Sequence, residues 1–201
     1  ITADTGIDAL THAIEAYVSQ KASAYSDSQA IAAMGLLAPN LRRVFHDGSD
    51  KPAREAMMLG ATLAGIAFSN ASVALVHGMS RPIGAFYHVP HGLSNAMLLP
   101  SVTDYSIPAA AQRYADCARA MGVAEANDST DVATGKLVAE LYAINDELNV
   151  PTPEEFGIDR SHFFANLETM AAQALASGSP NNNPRVPNSQ EIIEIYKNLW
   201  L

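Results

Sequence analysis

Apolar positions recur at helical spacing along almost the whole chain. Over residues 4–20, Ile7, Leu10, Ile14 and Val18 fall on one stripe with alanines in the gaps, which predicts an amphipathic helix. Asp4 or Thr5 can accept from the unpaired amides of its first turn. Ser26-Asp27-Ser28 reads as the cap of a second helix, 27–46, buried through Ile31, Met34, Leu37, Leu41 and Val44. Pro39 is expected to kink or split it, because proline lacks the amide that the ladder needs. A third helix, 52–69, opens with Pro52 in its first turn and is almost uncharged from Met57 to Phe68. A helix apolar all round is expected at the centre of a fold. A fourth helix is predicted over 72–86 and a fifth over 91–104, with Gly84 and Pro90 bracketing the turn between them.

Further on, 108–121 reads as an amphipathic helix with Arg113, Asp116 and Arg119 outward, and 128–148 as a long helix buried through Leu137, Leu141, Ile144 and Leu148. Val150-Pro151-Thr152-Pro153 is a stiff connector. A helix then runs from Asp159 or Ser161 to about Ala176, a Ser/Asn/Pro-rich loop covers Ser177 to Asn188, and Gln190 to Leu201 closes the chain as a helix anchored by Ile193, Tyr196 and Trp200. No run alternates like a strand, and neither a glycine-rich phosphate loop nor an internal repeat is present. The expected fold class is all-α, a helical bundle forming one domain over residues 1–201.

Charge narrows the possible partners. The formal net charge is -9 without a Lys/Arg cluster, which argues against nucleic acid and anionic membrane as partners. No apolar run approaches membrane-spanning length. The single cysteine, Cys117, cannot close an internal disulfide; it reads as a buried thiol and fits a reducing cytoplasm. The chain opens on Ile1-Thr2-Ala3-Asp4 and reaches a candidate ligand within a few residues, which reads as a piece of a longer protein.

The chemistry gathers in two stretches. Val76 to Gly92 holds His77, His88 and His91, three of the six histidines. Asp8 and His12, four apart, share one face of the first helix. Asp8, His12, His77 and His91 make a mixed nitrogen and oxygen set, suited to Fe(II), Zn(II), Co(II) or Ni(II) and poorly matched to Ca(II) or Mg(II). No local rule fixes the distance from His77 to His91, since they belong to different elements. His46 and His162 sit among polar residues and read as solvated. Glu15, three residues after His12, is the only further carboxylate close to the set in sequence.

The order of motifs is more specific than their spacing. Thr5-Gly-x-Asp8-Ala-Leu-Thr-His12-Ala-Ile-Glu15-Ala-Tyr17, then Ala64-Gly-Ile-Ala-Phe68-Ser-Asn70-Ala, then Val76-His77-Gly-Met, Pro90-His91-Gly and Asn95-Ala resemble the iron-dependent (group III) alcohol dehydrogenase family. The resemblance implies the all-helical C-terminal domain of an NAD(P)-linked enzyme whose N-terminal dinucleotide-binding domain is absent from this chain. It implies Asp8, His12, His77 and His91 as ligands of Fe(2+), with Zn(2+) possible. The metal would polarise the oxygen of an alcohol or aldehyde for hydride transfer. Phe68 matches a position near nicotinamide and substrate. Arg81 stands where many members carry a histidine, and would hold an acidic substrate's carboxylate or pair with a surface acid. His88 is not at a ligand position and reads as a substitute proton shuttle or an exposed loop histidine. The family often forms homo-oligomers. Three other readings stay open at this point: a purely structural metal site, a metal-dependent hydrolase using Glu15, and a metal-independent reductase relative.

Overall fold

The computed structural model describes residues 2–200; Ile1 and Leu201, the latter the expected last residue of the closing helix, lie outside the described residues. The elements are α1 (Thr2–Val18), α2 (Ala24–His46), α3 (Lys51–Ala71), α4 (Leu75–Tyr87), α5 (His91–Ala120), α6 (Thr130–Glu147), α7 (Arg160–Ala165), α8 (Leu167–Ala176), a 3-10 turn (Ser179–Asn182) and α9 (Ser189–Asn198). No strand occurs among the described residues. The all-α expectation holds.

Local chemistry explains the helix starts. Ser23, not Ser26, caps α2; Ser26 is the reciprocal partner in the capping box, so the helix begins a turn earlier than its polar cluster suggested. Asp50 caps α3, Ser129 caps α6, and Asn188 with Glu191 forms a second capping box on α9. Pro39 does not split α2. The helix runs through it, and the Asn40 side chain donates to the Leu36 carbonyl at 2.9 Å in the turn that proline disturbs.

Three further features differ from the sequence pattern. The two helices expected over 91–104 and 108–121 are joined as α5, and the break moves to Ala110, where φ is -148° and ψ 38°. The helix expected to reach Ala176 divides at Asn166, whose side-chain amide takes the His162 carbonyl at 2.8 Å and so competes with the backbone ladder. The third departure is one of position. α3 is not the central helix: its buried residues are Ala53, Gly60, Ala64, Ala67 and Ala71, while Met58 is 71% exposed. Small residues let it lie close on α2, where a Cβ at Gly60 would come within 2.8 Å of Leu37 Cγ. Met58 and Leu59 are left facing outward, while Met57, Leu63 and Phe68 are half-buried against the core.

The central helix is α1. Ile7, Leu10, Ala13 and Ala16 are fully buried, and the helix packs against α2, α3 and α5. A second group of contacts surrounds Phe163, fully buried with its ring 5.2 Å from Trp200 and 5.4 Å from Tyr87. Tyr196 on α9 donates to the Met79 carbonyl at 2.7 Å and ties the C-terminal helix to α4.

The Ser/Asn/Pro segment expected to be a plain loop is in fact a buried brace. Ser179, Pro180, Asn182 and Asn183 are all buried. The Asn182 carbonyl accepts from Gln20 N at 2.8 Å, and its amide donates to Val73 O at 2.9 Å and Ser72 Oγ at 3.1 Å. Asn183 donates to Ser106 Oγ at 2.9 Å. The brace therefore grips the α3–α4 corner, across which the chain turns by 103°. No single helix among the described residues is long and apolar enough to cross a membrane.

Two glycines test this packing in opposite senses. A Cβ at Gly92, in the first turn of α5, would strike the Asp4 carbonyl on α1, whereas one at Gly65, inside α3, would meet nothing within 4 Å. Gly92→Ala is expected to destabilise the chain by about 1–3 kcal/mol through overpacking. Gly65→Ala is expected to stabilise it by roughly 0.5–1 kcal/mol through helix entropy. Urea denaturation of both variants checks the pair.

Candidate metal centre

Three helices deliver the candidate ligands. Asp8 and His12 lie one turn apart on α1, His77 is in the first turn of α4, and His91 is the first residue of α5. One atom links them: Asp8 Oδ1 is 3.4 Å from His77 Nε2, 3.7 Å from His91 Nε2 and 3.8 Å from His12 Nδ1. The ring centroids of His12 and His77 are 4.4 Å apart, and those of His77 and His91 5.2 Å. Asp8, His12 and His77 offer ligand atoms that all lie within 4.8 Å of one another. The side chain of His77 is 5% exposed and that of His91 53%, so His91 forms the rim.

The donor set fits a transition metal. Four donors at about 2.1 Å from a tetrahedral ion stand about 3.4 Å from each other. The contacts around Asp8 Oδ1 are at or slightly beyond that spacing. A neighbouring amide gives a second sign. Asn95 Nδ2 sits 2.7 Å from Asp8 Oδ1, 3.1 Å from His91 Nε2 and 3.2 Å from His77 Nε2, while its own Oδ1 is buried without a partner. One amide nitrogen has two hydrogens, too few for the carboxylate oxygen and two ring nitrogens around it. A cation would satisfy all three together.

The charges are distributed unevenly. Burial pulls His77 down, but Glu15 and Asp8 on either side outweigh it and raise its pKa to about 9. Burial and the charge of His77 press His12 down to about 4. Burial works against Asp8 too, yet His77, His12 and Asn95 hold it below the usual carboxylate range. His91 is lowered, by burial first and then by the charges of His77 and Arg81. Without an ion, the protonated His77 is thus flanked by two carboxylates.

The remaining sequence candidates fall as follows. Phe68 stacks on His12, with ring centroids 4.3 Å apart at 22°. Arg81 is exposed one turn beyond His77, near enough for its charge to act on His91, and makes no salt bridge with an acid among the described residues. His88 ends α4 in the left-handed region, with φ 55° and ψ 26°, and is exposed; it makes no hydrogen bond, ion pair or ring contact with the cluster among the described residues. His46 and His162 are exposed, as their polar neighbours suggested.

Two residues of the site were not assigned from sequence. Glu15 is 3% exposed, and its Oε2 lies 2.6 Å from His77 Nδ1. The signal was there: a carboxylate one turn beyond His12 on a nearly apolar helix. Asn95 is fully buried one turn after His91. Its spacing was visible, but its partners on α1 and α4 were not.

Comparison with known proteins places these features. The family described as "Fe-containing alcohol dehydrogenase family, C-terminal" matches residues 2–200. The chain is 39% identical over 198 residues to the 1,3-propanediol dehydrogenase of Klebsiella pneumoniae, covering 98% of this chain and 50% of that one. It is 38% identical over 201 residues to the lactaldehyde reductase of Escherichia coli (strain K12), covering 100% and 51%. A crystal structure of a 1,3-propanediol oxidoreductase superposes with a TM-score of 0.92 at 38% identity, covering 98% of this chain and 51% of that one. The chain spans about half the length of the curated relatives it matches.

Asn95→Ala removes the donor nearest to Asp8. It is expected to cost the chelator-treated chain about 1.5–3 kcal/mol, the range for hydrogen bonds to charged groups. The cost should shrink when Zn(II) is added. Urea denaturation with and without Zn(II) measures both.

Proposed function

Because this chain belongs to the Fe-containing alcohol dehydrogenase family and matches its C-terminal part, we propose that it is the metal-binding half of an NAD(P)-linked alcohol dehydrogenase or aldehyde reductase. The convergence of three imidazoles on Asp8 Oδ1 carries this reading. Asp8, His12, His77 and His91 would hold the ion, Fe(II) by family and Zn(II) by the same donor chemistry. When bound, the ion supplies Lewis acidity toward the oxygen of an alcohol or aldehyde.

The chain's own residues do the rest. The exposed rim at His91 keeps one side open, as a catalytic site requires and a closed structural site does not. Phe68 walls the His12 side with an apolar ring and excludes water there. Arg81 offers a guanidinium to an acidic group on the substrate. His88 takes no part in holding the ion. The dinucleotide is held by a half of the enzyme outside this chain, which carries no glycine-rich phosphate loop.

The first test is the metal content of anaerobically purified chain, measured by elemental mass spectrometry beside His77→Ala/His91→Ala. Close to one iron or zinc per chain, lost in the double variant with helical content retained, is the expected result. NAD(P)-linked turnover of a small diol should be absent from the chain alone. A folded chain that takes up neither Fe(II) nor Zn(II) would overturn the proposal.

A further inference from the structure

We propose that Glu15 is a positioning residue of this centre: its buried carboxylate fixes the His77 tautomer and so turns Nε2 toward the ion. This rests on the metal-binding reading above. Glu15 touches no candidate ligand atom that faces the ion. It acts on the far side of the ring.

Three donors meet the carboxylate. Oε2 takes His77 Nδ1 at 2.6 Å and Ala74 N at 3.0 Å, and Oε1 takes Val76 N at 2.6 Å. An ionised carboxylate only accepts, so the hydrogen of a neutral His77 must sit on Nδ1. The other tautomer would set the Nδ1 lone pair against the carboxylate. With Nδ1 committed, Nε2 carries the free lone pair, and Nε2 is the atom 3.4 Å from Asp8 Oδ1. Carboxylates behind metal-bound imidazoles fix tautomer and ring orientation in this way.

Glu15 also holds the backbone that carries the ring. The residue before α4, Ala74, has no side-chain cap of its own, and the first amides of the helix go to Glu15 on α1 instead. A negative group there is favourable to the helix dipole. Just before it, Ser72 has φ 67° and ψ 168°, a region that costs a residue with a Cβ about 1–3 kcal/mol. Asn182 holds that corner from the other side through Ser72 Oγ and Val73 O. The ring and its backbone are thus fixed by one group, and turning the ring gives up its bond to the carboxylate that caps the helix.

The test compares Glu15→Gln with Tyr196→Phe. Glutamine keeps the size but cannot accept from all three donors. Tyr196→Phe loosens α4 elsewhere, by removing the bond to Met79 O. In the Zn(II)-loaded chain, Glu15→Gln should lower Zn(II) affinity about 10- to 100-fold, and the downfield, solvent-protected Nδ1–H signal of His77 in 15N-edited NMR should disappear. Tyr196→Phe should leave affinity within about twofold of the parent and keep that signal. Glu15→Asp, which keeps the charge but draws the carboxylate back by one methylene, serves as the second variant should the glutamine form not fold; loss of both signal and affinity is again the expected result. Parental affinity in either Glu15 variant overturns the assignment. So does an equal loss in Tyr196→Phe, which would reduce Glu15 to a structural cap. A parent chain that binds no Zn(II) overturns the metal reading itself, an outcome distinct from both.

Discussion

A carboxylate inside an apolar helical bundle is tolerable only when its acceptors are met, and α1 carries two. Glu15 meets amides and an imidazole; Asp8 meets an amide and stands against three imidazoles. Burial makes each of these contacts obligatory in a way that solvent exposure would not. Everything near the site follows from satisfying them. α4 must bring its N-terminus to Glu15, α5 must start beside Asp8, and Gly92 must lack a side chain so that α5 can come that close.

His77 lies between the two carboxylates and is the group through which they communicate. Without an ion it carries the charge that balances them, while burial, and then the charge of His77, keep its neighbour His12 neutral. Asn95 completes the set by placing an amide where Asp8 Oδ1 and the Nε2 atoms of His77 and His91 converge. The polar groups are therefore already arranged around a common focus. Such preorganisation keeps the ordering cost out of the binding step.

Much of this was legible in the sequence, and the limits have physical causes. The α1 stripe and the Asp8–His12 pair are local, set by helical periodicity. That His77 and His91 reach the same carboxylate is not local, and the order of family motifs suggested it where spacing could not. α3 was misplaced because an apolar run reports composition rather than burial; its small residues face α2 while Met58 and Leu59 face out. The Asn-rich segment read as a loop because its composition suits turns, yet its amides are consumed by backbone groups distant in sequence. Glu15 was seen and given the wrong weight, since its partners sit on α4.

The brace at Ser179–Asn182 sets an order on the life of the chain. Asn182 grips Ser72 across 110 residues, and the corner it grips carries the His77 helix. A ribosome adding about 5–20 residues per second would therefore present Asp8, His12, His77 and His91 well before the segment that locks the corner emerges. During that interval the nascent chain displays histidines and carboxylates without the fixed geometry that selects among ions. On the proposed metal-binding reading, an ion taken up in that interval would be chosen by availability rather than by geometry.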